Sequence, residues 1–268
     1  MRALSQYIVR FAAIAAIVTA SVACTLSEGY RHSPVSLCRR IWNDVNYDLS
    51  YINIILKKVI LFDHMFDIED ETEREAYIDT MLHAASIEQS GNTYTIRYIN
   101  EYNTYHTQVI KTSGGRFSQG DKWEVSYDGA LGYLATITPS GSGYKVTFSR
   151  LYDDKSNTTA ELEMSYDLTT YSENSDTLVD IEYSGRLAMT DYTESISRPL
   201  TIATTITQPV QYNGNYGMTG GAFDILCRDA LYNSTDHIKA DIDSSTGLVM
   251  IEYCGSRWTE DVKNRVNL

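Results

Sequence analysis

The chain has 268 residues, and its 22 Lys and Arg residues against 35 Asp and Glu residues give a formal net charge of −13. Binding to nucleic-acid phosphates needs clustered basic side chains. Here the basic residues are scattered, apart from Arg39 and Arg40 and the pair Lys57 and Lys58, so we expect no nucleic-acid partner. Hydrophobic residues make up 43% of the chain and charged residues 21%, which is typical of a folded protein and excludes a disordered one.

Residues 1–23 have the composition of a secretory signal peptide. Arg2 and Arg10 come before residues 11–23, an uninterrupted run of 13 apolar and small residues. As a helix this run would be about 20 Å long at roughly 1.5 Å per residue, whereas the hydrocarbon layer of a bilayer is about 30 Å thick. The run is too short to span a membrane, and we expect it to be removed after export.

The end of this leader, Ser21-Val22-Ala23-Cys24, resembles the lipobox of bacterial lipoproteins, in which the cysteine is acylated and becomes the mature N-terminus. Ser21 departs from the usual leucine, although looser boxes occur among Bacteroidetes. The resemblance implies that Cys24 is lipidated, that residues 24–34 are a tether, and that the membrane is a partner through the lipid. The alternative is plain secretion, with an ordinary cleavage site and Cys24 left as a thiol.

The same resemblance implies a location in a bacterial cell envelope. In Bacteroidetes-like lipoproteins a run of acidic residues just after the cysteine marks export to the cell surface, and residues 25–29 contain a single acid, Glu28. We therefore expect a lipid-anchored protein of the outer membrane that faces the periplasm. Because the body is acidic, anionic lipid headgroups would repel it, and attachment would depend on the acyl chains alone.

With Cys24 lipidated, Cys38, Cys227 and Cys254 remain, so at most one disulfide can form within the chain. An oxidising envelope permits a bridge between Cys227 and Cys254. Strand parity opposes this bridge, because Cys227 falls on the apolar face of its predicted strand and Cys254 falls on the opposite face. The alternative is that buried thiols act as small apolar side chains. No Cys-x-x-Cys spacing supports a redox or zinc function.

Apolar residues recur every three or four positions between residues 37 and 59, which is the period of one helical face. We expect a long helix from about residue 36 into the region 61–66, followed by an acidic junction at residues 63–73. A second helical stripe then includes Ala76, Ile78, Met81 and Leu82. Residues 86–91 are expected to end this helical segment, which we place at residues 35–90.

After Gly91 the hydrophobic period falls to two, which predicts half-buried β-strands almost to the C-terminus. Residues 94–98, 179–183 and 249–251 are examples, and turn-rich segments such as 139–143 and 213–221 separate them as in antiparallel hairpins. The predicted fold class is therefore mainly β. We expect about ten to twelve strands in an antiparallel meander, curled into a sandwich or partial barrel. This body, residues 91–268, forms one domain with the helical segment.

Aromatic residues expected in loops are the candidate ligand contacts. The 21 tyrosines could stack on sugars, but most fall on apolar strand faces, where aromatic residues pack in the core. Exposed loops carry function more often than strand interiors. Tyr212, Tyr216 and Trp258 are therefore the preferred candidates.

Thr177 is a candidate for O-glycosylation. The triplet Asp176-Thr177-Leu178 resembles the O-glycosylation pattern of Bacteroidetes and follows a predicted loop at residues 171–175. Asp79-Thr80-Met81 has the same pattern, but it lies in the helical segment. The resemblance therefore favours Thr177.

No motif in the chain predicts a metal, a cofactor or a catalytic centre. His64 and Asp67 could share a helix face, which we interpret as an exposed pair rather than a catalytic dyad. Residues 241–252 resemble a calcium loop, but Gly247 stands at the seventh place instead of the sixth, and a strand rather than a helix follows it. We interpret this segment as a hairpin turn.

The leading hypothesis is a non-catalytic envelope lipoprotein that acts as a binding or structural module, with a glycan or a protein as its unidentified partner. One alternative is an envelope hydrolase acting on glycans, which a groove with two carboxylates and flanking aromatic residues would favour. Another is a subunit of a surface appendage or adhesin, which an exposed edge strand would favour. A polar sheet surface would favour the module.

Overall fold

The computed structural model describes residues 34–80, 82, 84, 86–99, 104–110, 121–127, 130–151, 157–170, 177–193, 198–213, 217–229 and 234–261. The predicted signal peptide, Cys24 and most of the tether lie outside these residues, as does Tyr216. The predictions made for them stay predictions. Within the described part of the chain, no helix combines the length and the apolar character needed to cross a membrane.

Two helices come before the sheet, as the sequence predicts. Helix α1 is Pro34–His64, a 3-10 turn follows at Met65–Asp67, and helix α2 is Glu71–Thr80. The side chain of Asp70 caps α2, because its Oδ1 accepts a hydrogen bond of 2.9 Å from the backbone N–H of Glu73. The hydroxyl of Tyr77 donates to the carbonyl oxygen of Leu61 at 2.9 Å and fastens α2 to the end of α1.

The remaining described elements are thirteen strands. They are β1 Ser86–Ser90, β2 Thr93–Ile99, β3 Thr104–Ile110, β4 Asp121–Tyr127, β5 Ala130–Ser140, β6 Gly143–Leu151, β7 Asn157–Thr170, β8 Thr177–Thr193, β9 Arg198–Asn213, β10 Gly217–Asp229, β11 Ser234–Asp243, β12 Leu248–Tyr253 and β13 Ser256–Asp261.

Each strand pairs with its neighbours in chain order, and the paired strands are antiparallel. The predicted mainly β class and antiparallel meander are confirmed. Among the described strands, β1 and β13 end the sheet and do not pair with each other, so the sheet is not closed. One boundary was wrong: Ser86–Ser90, expected to end the helical segment, is the first strand, so the β body begins before Gly91.

The sheet curls around α1. Near the start of the helix the ring of Trp42 lies 5.5 Å from the ring of Phe223 on β10. Asp48, in the middle of the helix, contacts Arg150 on β6, and Phe62, near its end, lies 5.5 Å from Tyr94 on β2. Because widely separated strands contact one helix, most of the circumference of α1 is buried.

The two faces of the sheet have opposite chemistry. The inner face, which packs on α1, carries the alternating buried residues of each strand, such as Ile181, Tyr183 and Leu187 on β8. The outer face carries the residues between them, such as Glu182 and Arg186, which are exposed. This alternation is the pleat of a half-buried strand, and it makes the outside of the described sheet mainly polar, although Leu226 and Met250 are exposed there.

Candidate functional site

A groove of about 450 Å³ crosses the outer face of strands β5–β9. Its floor is a row of small side chains that are successive cross-strand partners: Ser149 on β6, Thr159 on β7, Ala188 on β8 and Ala203 on β9. Larger side chains stand beside this row, so the row forms a depression. We call this feature the outer groove.

Polar residues form one wall of the outer groove. This wall is the parallel row of Thr147, Glu161, Arg186 and Thr205, which are again successive cross-strand partners. The other side is flanked by a row of Asn157, Thr190 and Thr201. Directly paired residues of antiparallel strands have Cβ atoms about 4.5–5.5 Å apart. Glu161 and Arg186 are such a pair, so their opposite charges offset each other within the wall.

Gly185 lets strands β7 and β8 approach closely beside this wall. Its φ of 140° lies in the region that disfavours residues with a Cβ, and a Cβ at this position would overlap the carbonyl oxygen of Glu161. The ladder between β8 and β9 shifts register next to it, between Tyr183 and Arg186. This bulge sets the position of Arg186 over the groove.

The outer groove can hold a neutral polar ligand. Neighbouring strands are about 4.8 Å apart, so a floor that crosses four strands is about 15 Å long. The volume falls within the range of about 300–1,000 Å³ that is common for small-ligand sites. Its hydroxyl groups can both donate and accept hydrogen bonds, which suits a ligand rich in hydroxyl groups.

A second pocket on the outer face, of about 390 Å³, is lined with acidic and amide side chains. Asp167 and Asp180 are cross-strand partners there, and Asn213 Nδ2 donates to Asp180 Oδ1 at 2.6 Å. The aromatic residues nearest to it are turned inward, since Tyr166 packs against the core and Tyr212 is buried. The lining of the pocket therefore includes three acidic residues, Asp167, Asp180 and Glu182, and two tyrosines that are buried or half-buried.

A buried polar cluster fastens α1 to the sheet. Arg150 Nη1 lies 2.9 Å from Asp48 Oδ1, the hydroxyl of Thr158 donates to Asp48 Oδ2, and Asp48 is fully buried. The guanidinium of Arg150 also stacks on two rings of α1, 4.9 Å from the centroid of Tyr47 and 4.2 Å from that of Tyr51. Because every partner belongs to the chain itself, this cluster positions the helix.

The predicted loop position of the candidate aromatic residues was wrong for two of them. Tyr212 lies within β9 and is 7% exposed, and Trp258 lies within β13 and packs against the core. Gln211 and Asn213 beside Tyr212 read as turn residues, but here they are the outward residues of a long strand. Side chains buried in this way offer little surface to a ligand. Thr177 is the first residue of β8, and its glycosylation stays a prediction.

The bridge between Cys227 and Cys254 was also wrong. Cys227 is buried on the inner face of β10 and forms no disulfide. Cys254 lies in the exposed turn between β12 and β13, with a φ of 50°, whereas Cys227 lies within β10. Cys254 is disulfide-bonded. Cys38 on α1 is a buried free thiol, and burial together with Asp236 raises its pKa to about 12.

The remaining sequence motifs have local structural roles. His64 Nδ1 and Asp67 Oδ2 are 3.1 Å apart and exposed, as expected of a surface pair. Residues 244–247 form the hairpin turn between β11 and β12, where the backbone N–H of Gly247 donates to the carbonyl oxygen of Asp243 at 2.8 Å. Within the described ranges, no group of three or more His, Cys, Asp or Glu side chains could hold a metal ion.

Sequence reasoning missed the residues of the outer groove. Each was visible as an outward residue of a predicted strand, and many are small or carry hydroxyl groups. Their assembly into one row depends on the register of five strands, which alternation alone does not define. No protein-family model, curated protein or solved structure matches the chain.

Proposed function

We propose that the chain is a non-catalytic lipoprotein of a bacterial envelope, anchored through lipid on Cys24 in the outer membrane and facing the periplasm. Its outer groove binds a neutral, hydroxyl-rich chain such as a segment of a glycan. The lipid anchor rests on the lipobox resemblance. The binding role rests on one observation, the row of small residues beside a polar wall in the outer groove.

The charge of the protein supports a neutral ligand over an anionic one. The formal net charge is −13, so a polyanion would be repelled at long range. Within the groove the wall charges of Glu161 and Arg186 are directly paired across strands, which leaves no net charge to select an ion. Hydroxyl groups of Thr147, Thr159 and Thr205 remain as the main hydrogen-bonding groups.

The arrangement of the acidic residues supports a binding module over a glycan hydrolase. Glycoside cleavage uses two carboxylates on either side of the bond that is cut. The carboxylates of Asp167 and Asp180 lie side by side on an outer face, and the neighbouring Tyr212 is buried beneath them. Tyr212 lines this pocket but is only 7% exposed, so it offers little surface for stacking on a sugar ring.

The sheet edges support a single module over a polymerising appendage subunit. The edge strands β1 and β13 have only 5 and 6 residues. Arg257 and Glu260 on β13 are charged, and Glu260 forms an ion pair with Arg39 of α1. Short, charged edges discourage the addition of a strand from another molecule.

The binding role is tested with full-length protein in detergent on an array of neutral oligosaccharides and their sulfated or sialylated counterparts. Ala188→Lys places a long side chain on the groove floor, and Thr259→Lys places the same side chain on the outer face of β13, away from the groove. We expect the wild-type protein and Thr259→Lys to bind neutral oligosaccharides alike, and Ala188→Lys to bind at least about tenfold more weakly, a loss of about 1.4 kcal/mol. Equal binding by both variants, a preference for the anionic glycans, or binding to none of them would contradict the proposal.

A second candidate is a secreted, lipid-free form of the same module, and the observation that favours it is the disulfide at Cys254. Since Cys38 and Cys227 form no disulfide, Cys24 is the one other cysteine in a chain of four. An acylated Cys24 has no free sulfur for a disulfide, so the anchor and such a bridge exclude each other. Alkylation of denatured, unreduced protein separates them, because a lipidated chain offers three thiols and a bridged chain offers two.

A further inference from the structure

The row of residues that forms the floor of the outer groove continues past β9 onto the next two strands. Ala203 on β9 is the cross-strand partner of Leu226 on β10, and Leu226 in turn pairs with His237 on β11. The ladder between β9 and β10 is regular from Phe223 to Asp229. Because directly paired residues have Cβ atoms about 4.5–5.5 Å apart, Leu226 stands directly beside the end of the floor.

Leu226 is an apolar side chain on an outer face that is mainly polar. It is 44% exposed, and Met250 on β12 is the other exposed large apolar side chain among the described residues. A single exposed leucine is ordinary, but this one follows the exposed, small side chain of Ala203 in the floor row. The larger leucine therefore rises above the floor and ends the groove with apolar surface.

A carboxylate lies beside Leu226 on the same face of β10. Asp224 is two residues before Leu226 and is the cross-strand partner of Thr205, which ends the polar wall at β9. Asp224 Oδ1 contacts His237 Nε2, and the side chains are 38% and 49% exposed. A carboxylate has about four acceptor positions, so Asp224 can accept a hydrogen bond from a ligand while it contacts His237.

We propose that the β10 end of the outer groove binds the N-acetyl group of a neutral acetamido sugar. This inference rests on the proposed binding role of the groove and names the class of sugar that the groove selects. The acetyl methyl group packs on Leu226, and the amide N–H donates to the carboxylate of Asp224. A hydroxyl group in the same place would leave the apolar surface of Leu226 in contact with water.

The proposal is tested by isothermal titration calorimetry of full-length protein with chitotetraose and cellotetraose, in a detergent without sugar groups. The two tetrasaccharides share their β-1,4 linkage, and each unit carries an acetamido group in the first and a hydroxyl group in the second. We expect wild-type protein to bind chitotetraose at least about fivefold more tightly, because covering a methyl group and forming one more hydrogen bond both favour it.

Two matched variants locate the contact with the acetyl group. Leu226→Ser removes the apolar side chain at the end of the groove, and Met250→Ser removes the exposed apolar side chain on β12. We expect Leu226→Ser to reduce the preference for chitotetraose by about three- to fourfold, the contribution of one buried methyl group, with its affinity for cellotetraose unchanged. Met250→Ser should keep the wild-type preference. Both side chains are exposed, so we expect both variants to fold.

Three results would overturn the inference. Equal binding of the two tetrasaccharides, lost for both in Ala188→Lys, would keep the groove as a binding site and remove its selection of acetamido sugars. An unchanged preference in Leu226→Ser would place the acetyl group away from Leu226. Binding of neither tetrasaccharide would also overturn it, and the array of neutral oligosaccharides then shows whether the binding role of the groove fails as well.

Discussion

Arg150 on β6 and Asp48 on α1 form a buried ion pair across 102 positions of the sequence, with Nη1 and Oδ1 2.9 Å apart. Removing one member of a buried pair leaves an uncompensated charge and typically costs about 3–5 kcal/mol. We expect Asp48→Ala to lower the free energy of unfolding by about this amount, measured by urea denaturation.

The exposed ion pair between Arg39 and Glu260 provides the control for this prediction. The Arg39 side chain is 52% exposed, and exposed pairs contribute at most about 1 kcal/mol. Arg39→Gln should therefore change the free energy of unfolding by less than about 1 kcal/mol. Similar losses for Asp48→Ala and Arg39→Gln would mean that the buried cluster does not hold the helix in the sheet.

Gly185 provides a test of the bulge beside the outer groove. Alanine at this position would have both a disfavoured φ and a Cβ that overlaps the Glu161 carbonyl oxygen, so we expect Gly185→Ala to cost more than about 2 kcal/mol. Gly91 also has a positive φ, but its surroundings are open, and Gly91→Ala should cost only about 1 kcal/mol. If both substitutions lowered the free energy of unfolding equally in urea denaturation, the close approach of β7 to β8 at Gly185 would not contribute to stability.

The buried thiol of Cys38 predicts a loss of stability in alkali. Burial and Asp236 raise its pKa from 9.0 to about 12, so the unfolded chain releases this proton at lower pH than the folded chain does. The contribution of the Cys38 thiol to the free energy of unfolding is fully present below about pH 9. It falls as pH rises toward 12, by at most about 1.4 kcal/mol per pH unit. The stability difference between wild type and Cys38→Ala should shrink between pH 9 and 10. A stability difference between the two proteins that stays constant over this interval would contradict the raised pKa of Cys38.

Lys58 predicts a stabilising substitution. Burial and the neighbouring Lys57 lower its pKa from 10.5 to about 8, so the unfolded chain binds this proton at higher pH than the folded chain does. The protein loses stability as pH falls from about 10.5 toward 8. At pH 7 we expect Lys58→Met to raise the free energy of unfolding by more than about 1 kcal/mol. Lys145→Met, at an exposed position of β6, should not measurably change the free energy of unfolding. If it raised that free energy as much as Lys58→Met does, the gain would come from the lower number of charges and not from the burial of Lys58.

Local periodicity predicted most of the secondary structure but not how far the open sheet curls around α1. The stripe from residue 37 to residue 59 correctly predicts the helix, because apolar spacing depends only on local geometry. It does not predict that Asp48 and Asn53 are buried as well, since their burial depends on strands far away in sequence. The edge strand β1 was missed because Ser86–Ser90 is half-exposed to exposed throughout and carries no apolar alternation.

The candidate site was less predictable for a related reason. Tyr212 and Trp258 were expected in exposed loops, but in the structure they lie within β9 and β13 and pack inward, while neighbours such as Gln211 and Thr259 are exposed. The outer groove depends on which residues stand opposite each other, such as Ala188 and Ala203. That relation is a property of register, which the sequence pattern of single strands leaves undetermined.

The most direct test of the account is intact-mass analysis of full-length protein purified in detergent from the membranes of its own cells. The account predicts a chain that begins at Cys24 and is heavier than its amino-acid sequence by the mass of the acyl chains. A chain that keeps residues 1–23, or a Cys24 whose sulfur carries no lipid, would contradict it.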